Sequence, residues 1–472
     1  VIGNPPFVGA KFMSDAQRED TRRVLADVNN AGLLDLVAAW YVKAARYVRG
    51  EGFAGATASA AAQPGKVRCA FVSTNSITQG EQVGVLWGWM LAQGVKIQFA
   101  HRTFQWSNEA KGVAAVHCVI VGFGLEERSD KLIYHYPDIR GEPVAVPAHN
   151  INPYLVDAPD VVLPRRSTPL CNVPEIGIGN KPIDGGHYLF STEEKAAFLA
   201  QEPGAAKFFR RWLGADEFLN GYERWCLWLG EASPNELRHL PQCLERIQAV
   251  KALRLASKSA PTRKLAETPT RFHVENIPDR PYLVLPEVSS ERRAFVPFGF
   301  EQPETLCSNL VKIAAGATLY HFGILCSTMH NAWMRAVCGR LESRYRYSKD
   351  IVYNNFPWPD LPEDTPQQPA PAPVQKRRQA IAAAAQAVLD ARAQFPDSTL
   401  ADLYDPLTMP VQLTKAHQQL DKAVDAAYGY QGPPDDAARV AFLFARYQAL
   451  TAATAPVVPA KPTRRRKAKL GG

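Results

Sequence analysis

The sequence predicts an α/β fold, the second half of a doubly wound sheet, followed by a mixed α+β region and a C-terminal helical segment. Three observations carry this reading. Residues 1 to 150 alternate short apolar runs with helix-period segments and end in two strands with no helix between them. Residues 151 to 360 change to short strands between Pro and Gly turns, with few helices. After a Pro/Gln/Ala-rich stretch the pattern becomes Ala-rich and helical up to about residue 452. At 472 residues the chain is too long for one compact domain. The divisions fall at 1–150, 151–360, a linker at 361–374, helices over 375–452 and a tail at 453–472.

The elements follow in order. Val1-Ile2 reads as the end of a strand and leads into Gly3-Asn4-Pro5-Pro6-Phe7. A chain that opens on Val inside a strand is expected to be a piece whose preceding part is missing. Leu33, Leu36, Val37, Trp40, Tyr41, Ala44 and Val48 share one face at helical spacing, which predicts a helix over Gly32 to Val48. Residues 50 to 66 are rich in Gly, Ala, Ser and Gln and read as a flexible surface insertion. Val67 to Ser73 reads as a buried strand, Thr74 to Gln82 as a polar loop and Val83 to Gln93 as a short helix. Lys96 to Arg102 and Val113 to Gly122 complete the sheet, with Phe104, Trp106, Asn108 and Lys111 in the loop between them. Ligands of such sheets sit at the carboxyl ends of the strands, where Gly3–Phe7 and Thr74–Gln79 fall. Further on, Tyr282–Leu285 and Phe295–Phe298 predict strands and Thr328–Cys338 a helix. Pro362–Val374 is the linker, and Gln375–Gln394 reads as a long helix.

Composition excludes several classes. Hydrophobic residues at 46% and charged residues at 21% are ordinary for a soluble protein. No apolar run reaches the roughly 18 residues that span a bilayer, and neither a signal peptide nor membrane association is expected; the expected location is cytoplasmic. The eight cysteines form no C-x-x-C pair. They read as reduced core thiols, and no metal site is expected. The net charge is +8, but the last 17 residues carry six basic side chains and no acid, leaving +2 for the rest. That tail is either a weak phosphate attractor or simply a solvated, disordered end.

The chemistry concentrates at Asn4-Pro5-Pro6-Phe7. An exocyclic amine of adenine or cytosine is a poor nucleophile because its lone pair is delocalised into the ring. Hydrogen-bond acceptors on both of its N–H groups counter this by making the nitrogen more tetrahedral. The Asn4 side-chain oxygen and the Pro5 carbonyl are suitable acceptors. Two prolines stiffen the loop, so little reorganisation is needed at reaction. Phe7 offers a flat face for a base, which must leave the duplex to reach it. The competing reading is a Pro-Pro turn with Asn as a local cap.

These four residues match motif IV, [DNS]-P-P-[YFW], of amino-group DNA methyltransferases. The wider sequence resembles the MmeI-type (type IIL) restriction–modification proteins and their solo methyltransferase relatives. The resemblance includes I-G-N-P-P-F-V-G, N-A-G-L-L-D-L-V-A-A-W-Y, Phe71 to Gln82 and Phe104 to Ala114. It continues in Met329 to Trp333, Gly339 to Ser348 and Tyr353 to Pro359. It covers nearly the whole chain up to about residue 430. It implies that residues 1–150 are the rear half of a Rossmann-like S-adenosylmethionine-dependent methyltransferase domain, motif IV onward. Residues 151–360 would then be a DNA target-recognition domain. Adenine N6 is the expected acceptor in duplex DNA, with a role in restriction–modification or a related defence system.

One part of the family pattern is missing. A Gly-rich F-x-G-x-G turn for the cofactor should precede motif IV, and no such turn occurs in this chain. Gly122-Phe123-Gly124 reads instead as a simple turn. Asn4, with or without the loop from Pro5 to Phe7, should therefore touch only the methyl end of S-adenosylmethionine.

Secondary candidates follow, the first pair from the resemblance and the others from side-chain chemistry. Phe104 and Trp106 fall where the family lines its base pocket, and with Phe7 they could sandwich the flipped base; the alternative is ordinary hairpin aromatics. Lys111 is a candidate phosphate contact or a plain surface lysine. Arg340, Glu342, Arg344, Arg346 and Lys349, with Tyr345 and Tyr347 interleaved, could read bases or hold phosphates. A salt-bridged surface segment is the competing reading. Arg292 and Arg293 are a weaker second cluster. A nuclease triad forced from Asp160, Glu193 and Lys195 has poor spacing. A carbon-five cytosine enzyme would need a Pro-Cys nucleophile, and the sequence contains no such dipeptide. The rivals left open are an N4-cytosine methyltransferase, a non-catalytic DNA-binding fragment lacking the cofactor half, and a protein-glutamine or RNA methyltransferase. The oligomeric state is not legible.

Overall fold

The computed structural model describes residues 1–51, 67–106, 116–362 and 369–454. Most of the expected insertion, Asn108, Lys111, part of the linker and the basic tail lie outside the described residues.

The first 150 residues build a six-stranded sheet. Its strands are β1 (Ile2–Gly3), β2 (Cys69–Thr74), β3 (Lys96–Trp106), β4 (Val116–Gly124), β5 (Lys131–His135) and β6 (Val144–Ala148). Their order is β1-β2-β4-β3-β5-β6. β1 is parallel to β2, and β3 to β5, while β4 runs antiparallel between β2 and β3. The α/β class is borne out. The last strand expected from the sequence, β4, however, does not lie at the end of the sheet; it inserts into the middle and joins β3 to β2. As a result β1, β2, β3 and β5 all point the same way and present their carboxyl ends along one edge.

Three helices serve this sheet: α1 (Asp15–Val24), α2 (Ala38–Val48) and α3 (Glu81–Ala92). An aromatic cluster glues α2 and α3 to the strands. Tyr41 stacks on Phe123 at 5.3 Å and meets Phe71 and Trp87 edge-on. Its buried hydroxyl shares a 2.8 Å hydrogen bond with Ser73, which removes the cost of an unpaired polar group in the core.

Several expected elements shift, each for a visible reason. The helix expected from Gly32 begins at Ala38, after a single 3₁₀ turn at Ala31–Leu33. The backbone N–H groups of Asp35 and Leu36 are drawn away to Gln82 Oε1 and the Val8 carbonyl. Phe104 and Trp106 lie on β3 rather than in a loop, paired with Cys118 and Val116 of β4. Gly122 to Gly124 is the end of β4 and not a turn. A Cβ on Gly122 would lie 2.0 Å from the Phe99 ring, so only glycine lets that ring cross the strand. Phe295–Phe298 forms no strand, and the ladder starts at Gly299. Side chains capture its backbone instead: Asn331 Oδ1 accepts from Val296 N–H, and the Phe298 carbonyl accepts from Arg392.

Beyond residue 150 come three small sheets and a set of helices. Helices Ala372–Ala393, Val411–Tyr428 and Asp436–Thr454 close the chain. They pack on Leu319–Cys326 and Thr328–Val337. One apolar core runs through all three regions. Tyr154 stacks on Phe444 at 5.1 Å, and Phe444 packs against Trp333. A second core around Phe190, Trp212 and Trp228 belongs to the middle region alone. All eight cysteines are free thiols, and all but Cys171 are buried. No described helix is long and apolar enough to cross a membrane.

Candidate active site and nucleic-acid interface

The loop Asn4–Phe7 leaves the carboxyl end of β1. Pro5 is buried and anchors it, Phe7 is half-buried, and Asn4 and Pro6 are exposed. Among the described residues, neither the Asn4 side chain nor the Pro5 carbonyl has a hydrogen-bond partner. The two acceptors are therefore uncommitted.

What holds the loop is a residue the sequence reading missed. Asp35 Oδ1 accepts from Ala10 N–H at 2.8 Å, and Oδ2 accepts from Ser76 Oγ at 2.6 Å. Ser76 in turn shares a 2.9 Å bond with Thr74 at the end of β2. One carboxylate thus joins the continuation of the Asn4 loop to the loop after β2. A signal was present, since Asp35 is the only acid between Asp27 and Glu51 and stands in the run Leu-Leu-Asp-Leu-Val.

Phe104 is 9% exposed and stacks on Tyr136 at 5.1 Å, whereas Trp106 at the strand end is 43% exposed. Register places Phe104 level with Cys118 and Thr74. Three strand spacings then separate it from the Asn4 loop by about 15 Å. Both lie on the same carboxyl edge.

The basic cluster folds as a hairpin, Gly339–Leu341 with Arg344–Arg346. Its two-residue turn puts Glu342 at φ 59, an uncommon conformation for a residue with a side chain. Alternation then sorts the residues. Tyr345 and Tyr347 point inward, and Tyr347 shares a 2.9 Å bond with the buried His330. Arg344 and Arg346 point outward. Arg344 pairs with Glu342 at 2.9 Å at the exposed tip. Arg346 and Lys312 are both held by Glu287, at 2.9 and 2.6 Å. Burial pushes the Glu287 carboxyl up, but these two cations outweigh it and hold the pKa below the usual range. Arg340 lies 3.9 Å over the Tyr345 ring. Arg340, Arg346 and Lys349 line a cleft of 590 Å³ that also includes Gly80, Glu81 and Arg165. Arg293 is half-buried and Arg292 reaches Asp405 at 3.6 Å, away from that cleft.

The hairpin and the carboxyl edge of the sheet are joined directly. Gly80 N–H donates to the Val337 carbonyl at 3.0 Å. A Cβ on Gly80, whose φ is +64°, would sit 3.2 Å from the Gly339 Cα. Two facing glycines let the backbones of the two regions touch.

Asp160, Glu193 and Lys195 do not come together: Asp160 bonds Lys96 and Asn150, while Lys195 lies over the Trp225 ring. Among the described residues no group of His, Cys, Asp or Glu is arranged to hold a metal.

Comparison with known proteins gives a consistent picture. Residues 1–135 match the model of the MmeI DNA-methyltransferase domain, 157–360 the MmeI target recognition domain and 373–455 the MmeI C-terminal domain. DNA methyltransferase A of Bacillus subtilis (strain 168) is 37% identical over 452 residues, which are 96% of this chain and 48% of that protein. The chain thus spans about half the length of the curated relative it matches. Among solved structures, the type IIL restriction–modification enzyme MmeI in complex with DNA is similar at a TM-score of 0.82 and 49% identity. That match covers 96% of this chain and 57% of the other.

Proposed function

The chain belongs to the MmeI family, whose three domain models it matches in order, and on that premise we propose that it is a site-specific DNA methyltransferase. In this reading it modifies N6 of adenine in duplex DNA, in the cytoplasm, within a restriction–modification or related defence system. The observation that carries the proposal is the pair of uncommitted acceptors, Asn4 Oδ1 and the Pro5 carbonyl, on a proline-stiffened loop at the carboxyl edge of the sheet.

The target adenine leaves the duplex and enters this edge. Unstacking costs a few kcal/mol, and stacking on Phe7 returns about 1–3 kcal/mol. Asn4 Oδ1 and the Pro5 carbonyl accept its two amine N–H groups. The nitrogen lone pair is then freed from the ring and aimed away from the loop. S-adenosylmethionine, when bound, supplies the electrophilic methyl group. The exposed, unpaired Asn4 amide fits its methyl end, and no other residue of this chain is assigned to it. Trp106 and Phe104 form the far wall of the base pocket. The Glu342–Arg344 tip reads base edges, and Arg340, Arg346 and Lys349 follow the backbone.

The test is methyl transfer by the full-length gene product from labelled S-adenosylmethionine to duplex DNA, followed by nucleoside identification. Label in N6-methyladenine is expected. Label in N4-methylcytosine would overturn the base, because the same two acceptors serve both amines. DNA bound without label would favour a binding module.

A further inference from the structure

A second feature of the catalytic edge has no role in the account above. Between His101 and Phe104, β3 carries a bulge: three residues of β3 advance against two of β4. Bulges re-aim side chains, and this one aims Arg102 into a small pocket of 140 Å³. The pocket lies between the sheet and the recognition region, and its lining includes Gln79, His135, Tyr136, Arg335 and Arg340.

The charges of that pocket do not balance. Arg335 is neutralised by Asp436 through two bonds of 2.7 and 3.0 Å. Arg102 has no hydrogen-bond or ion-pair partner among the described residues; burial works against its charge, and the acid that acts on it, from further off, is the same Asp436 already bonded to Arg335. Arg340 has a tyrosine ring and one carbonyl for partners but no acid, and its Nε is buried and unpaired. Gln79 Oε1 is buried and unpaired as well, and a turned amide would present its NH₂ there. Two guanidinium groups that face one pocket with no acid in contact, beside a third that holds the nearby carboxylate, repel each other. A guanidinium is built to hold a tetrahedral oxyanion by parallel N–H···O bonds.

We propose that this pocket is a phosphodiester site, centred on Arg102, that grips the target strand next to the extruded nucleotide. The proposal rests on the DNA methyltransferase reading. Its position fits the task. Phe104 of the base pocket is two residues further along β3, and Arg340 belongs to the recognition hairpin. A strand that passes from the reading hairpin to the base pocket must cross between them, and its backbone carries one negative charge per nucleotide.

The experiment uses the full-length gene product and a duplex that the wild-type protein methylates. Methylation by the wild type establishes the parent reading independently. Each phosphate near the target is replaced in turn by an uncharged methylphosphonate, and binding is measured for wild type, Arg102→Gln and Arg102→Lys. Loss of about tenfold in affinity is expected for one position adjacent to the target with wild type. Arg102→Gln should lose about the same on the unmodified duplex and nothing further at that position. Its salt slope should fall by about 0.9, the value for one phosphate contact. Arg102→Lys keeps the charge and should retain the slope. The proposal is overturned if Arg102→Gln binds with an unchanged slope, or if its loss adds independently to that of every methylphosphonate. Equal thermal midpoints for the three proteins ensure that folding is not what is being read.

Discussion

Removing the Asp35 carboxylate should uncouple the Asn4 loop from the sheet. Asp35→Ala deletes the acceptor for Ala10 N–H at 2.8 Å and for Ser76 Oγ at 2.6 Å. A hydrogen bond to a charged group contributes about 1.5–3 kcal/mol. Asp35 is half-buried, so the lower end applies, and the two bonds together give a loss of about 3 kcal/mol. The larger effect is expected in turnover. Ala10 continues the Asn4 loop, and a displacement of about 1 Å at a reacting group costs roughly a hundredfold in rate. Asp35→Asn keeps an oxygen for Ala10 and turns its NH₂ toward Ser76, whose hydroxyl can accept, so a milder loss of about tenfold is expected. The assay is labelled methyl transfer with kcat and KM resolved, beside a thermal midpoint. If Asp35→Ala lowers the midpoint yet leaves kcat within about twofold of wild type, Asp35 stabilises the fold without positioning the loop, and the reasoning fails.

Two further outcomes follow from the geometry. Gly80 holds φ 64 and ψ −148 against Gly339; Gly80→Ala should cost about 1–3 kcal/mol and lower kcat more than DNA affinity, and unchanged kcat in a folded variant would contradict a mechanical link between the hairpin and the carboxyl edge of the sheet. His321, His330 and His417 are kept neutral chiefly by burial, with pKa values lowered to about 4, 3 and 3. Unfolded histidine titrates near pH 6.5. The stability they contribute is thus full above that pH and lost as pH falls toward 4, at up to about 1.4 kcal/mol per pH unit each. A thermal midpoint that stays flat from pH 7 to 5 would refute this.

The parts of the site legible in the sequence are those whose chemistry is local. Asn4-Pro5-Pro6-Phe7 carries its own stiffness, acceptors and ring in four consecutive residues, and the strand Ile2–Gly3 directly precedes it. The alternation Arg344-Tyr345-Arg346-Tyr347 likewise follows from strand geometry once the hairpin exists. The parts that were not legible depend on distant partners. Nothing near Asp35 in sequence says that Ala10 and Ser76 will meet on it. The bulge in β3 at Arg102 exists only against β4, which comes later in the sequence and lies between β2 and β3. The same insertion draws Phe104 and Trp106 into a strand, because each finds a ladder partner there. Phe295–Phe298 has the composition of a strand, but Asn331 and Arg392, residues 35 and 94 positions away, take its backbone groups first.

The central claim is that Asn4 acts on the target amine and not on DNA affinity. Asn4→Ala in the full-length gene product, assayed on a duplex that the wild type methylates, tests it directly. The account predicts a fall in kcat of about 10² to 10³, the usual cost of one preorganised hydrogen-bonding group at a reacting atom, with DNA affinity within about twofold of wild type. Turnover that survives the substitution, or affinity that falls in step with it, would contradict the account.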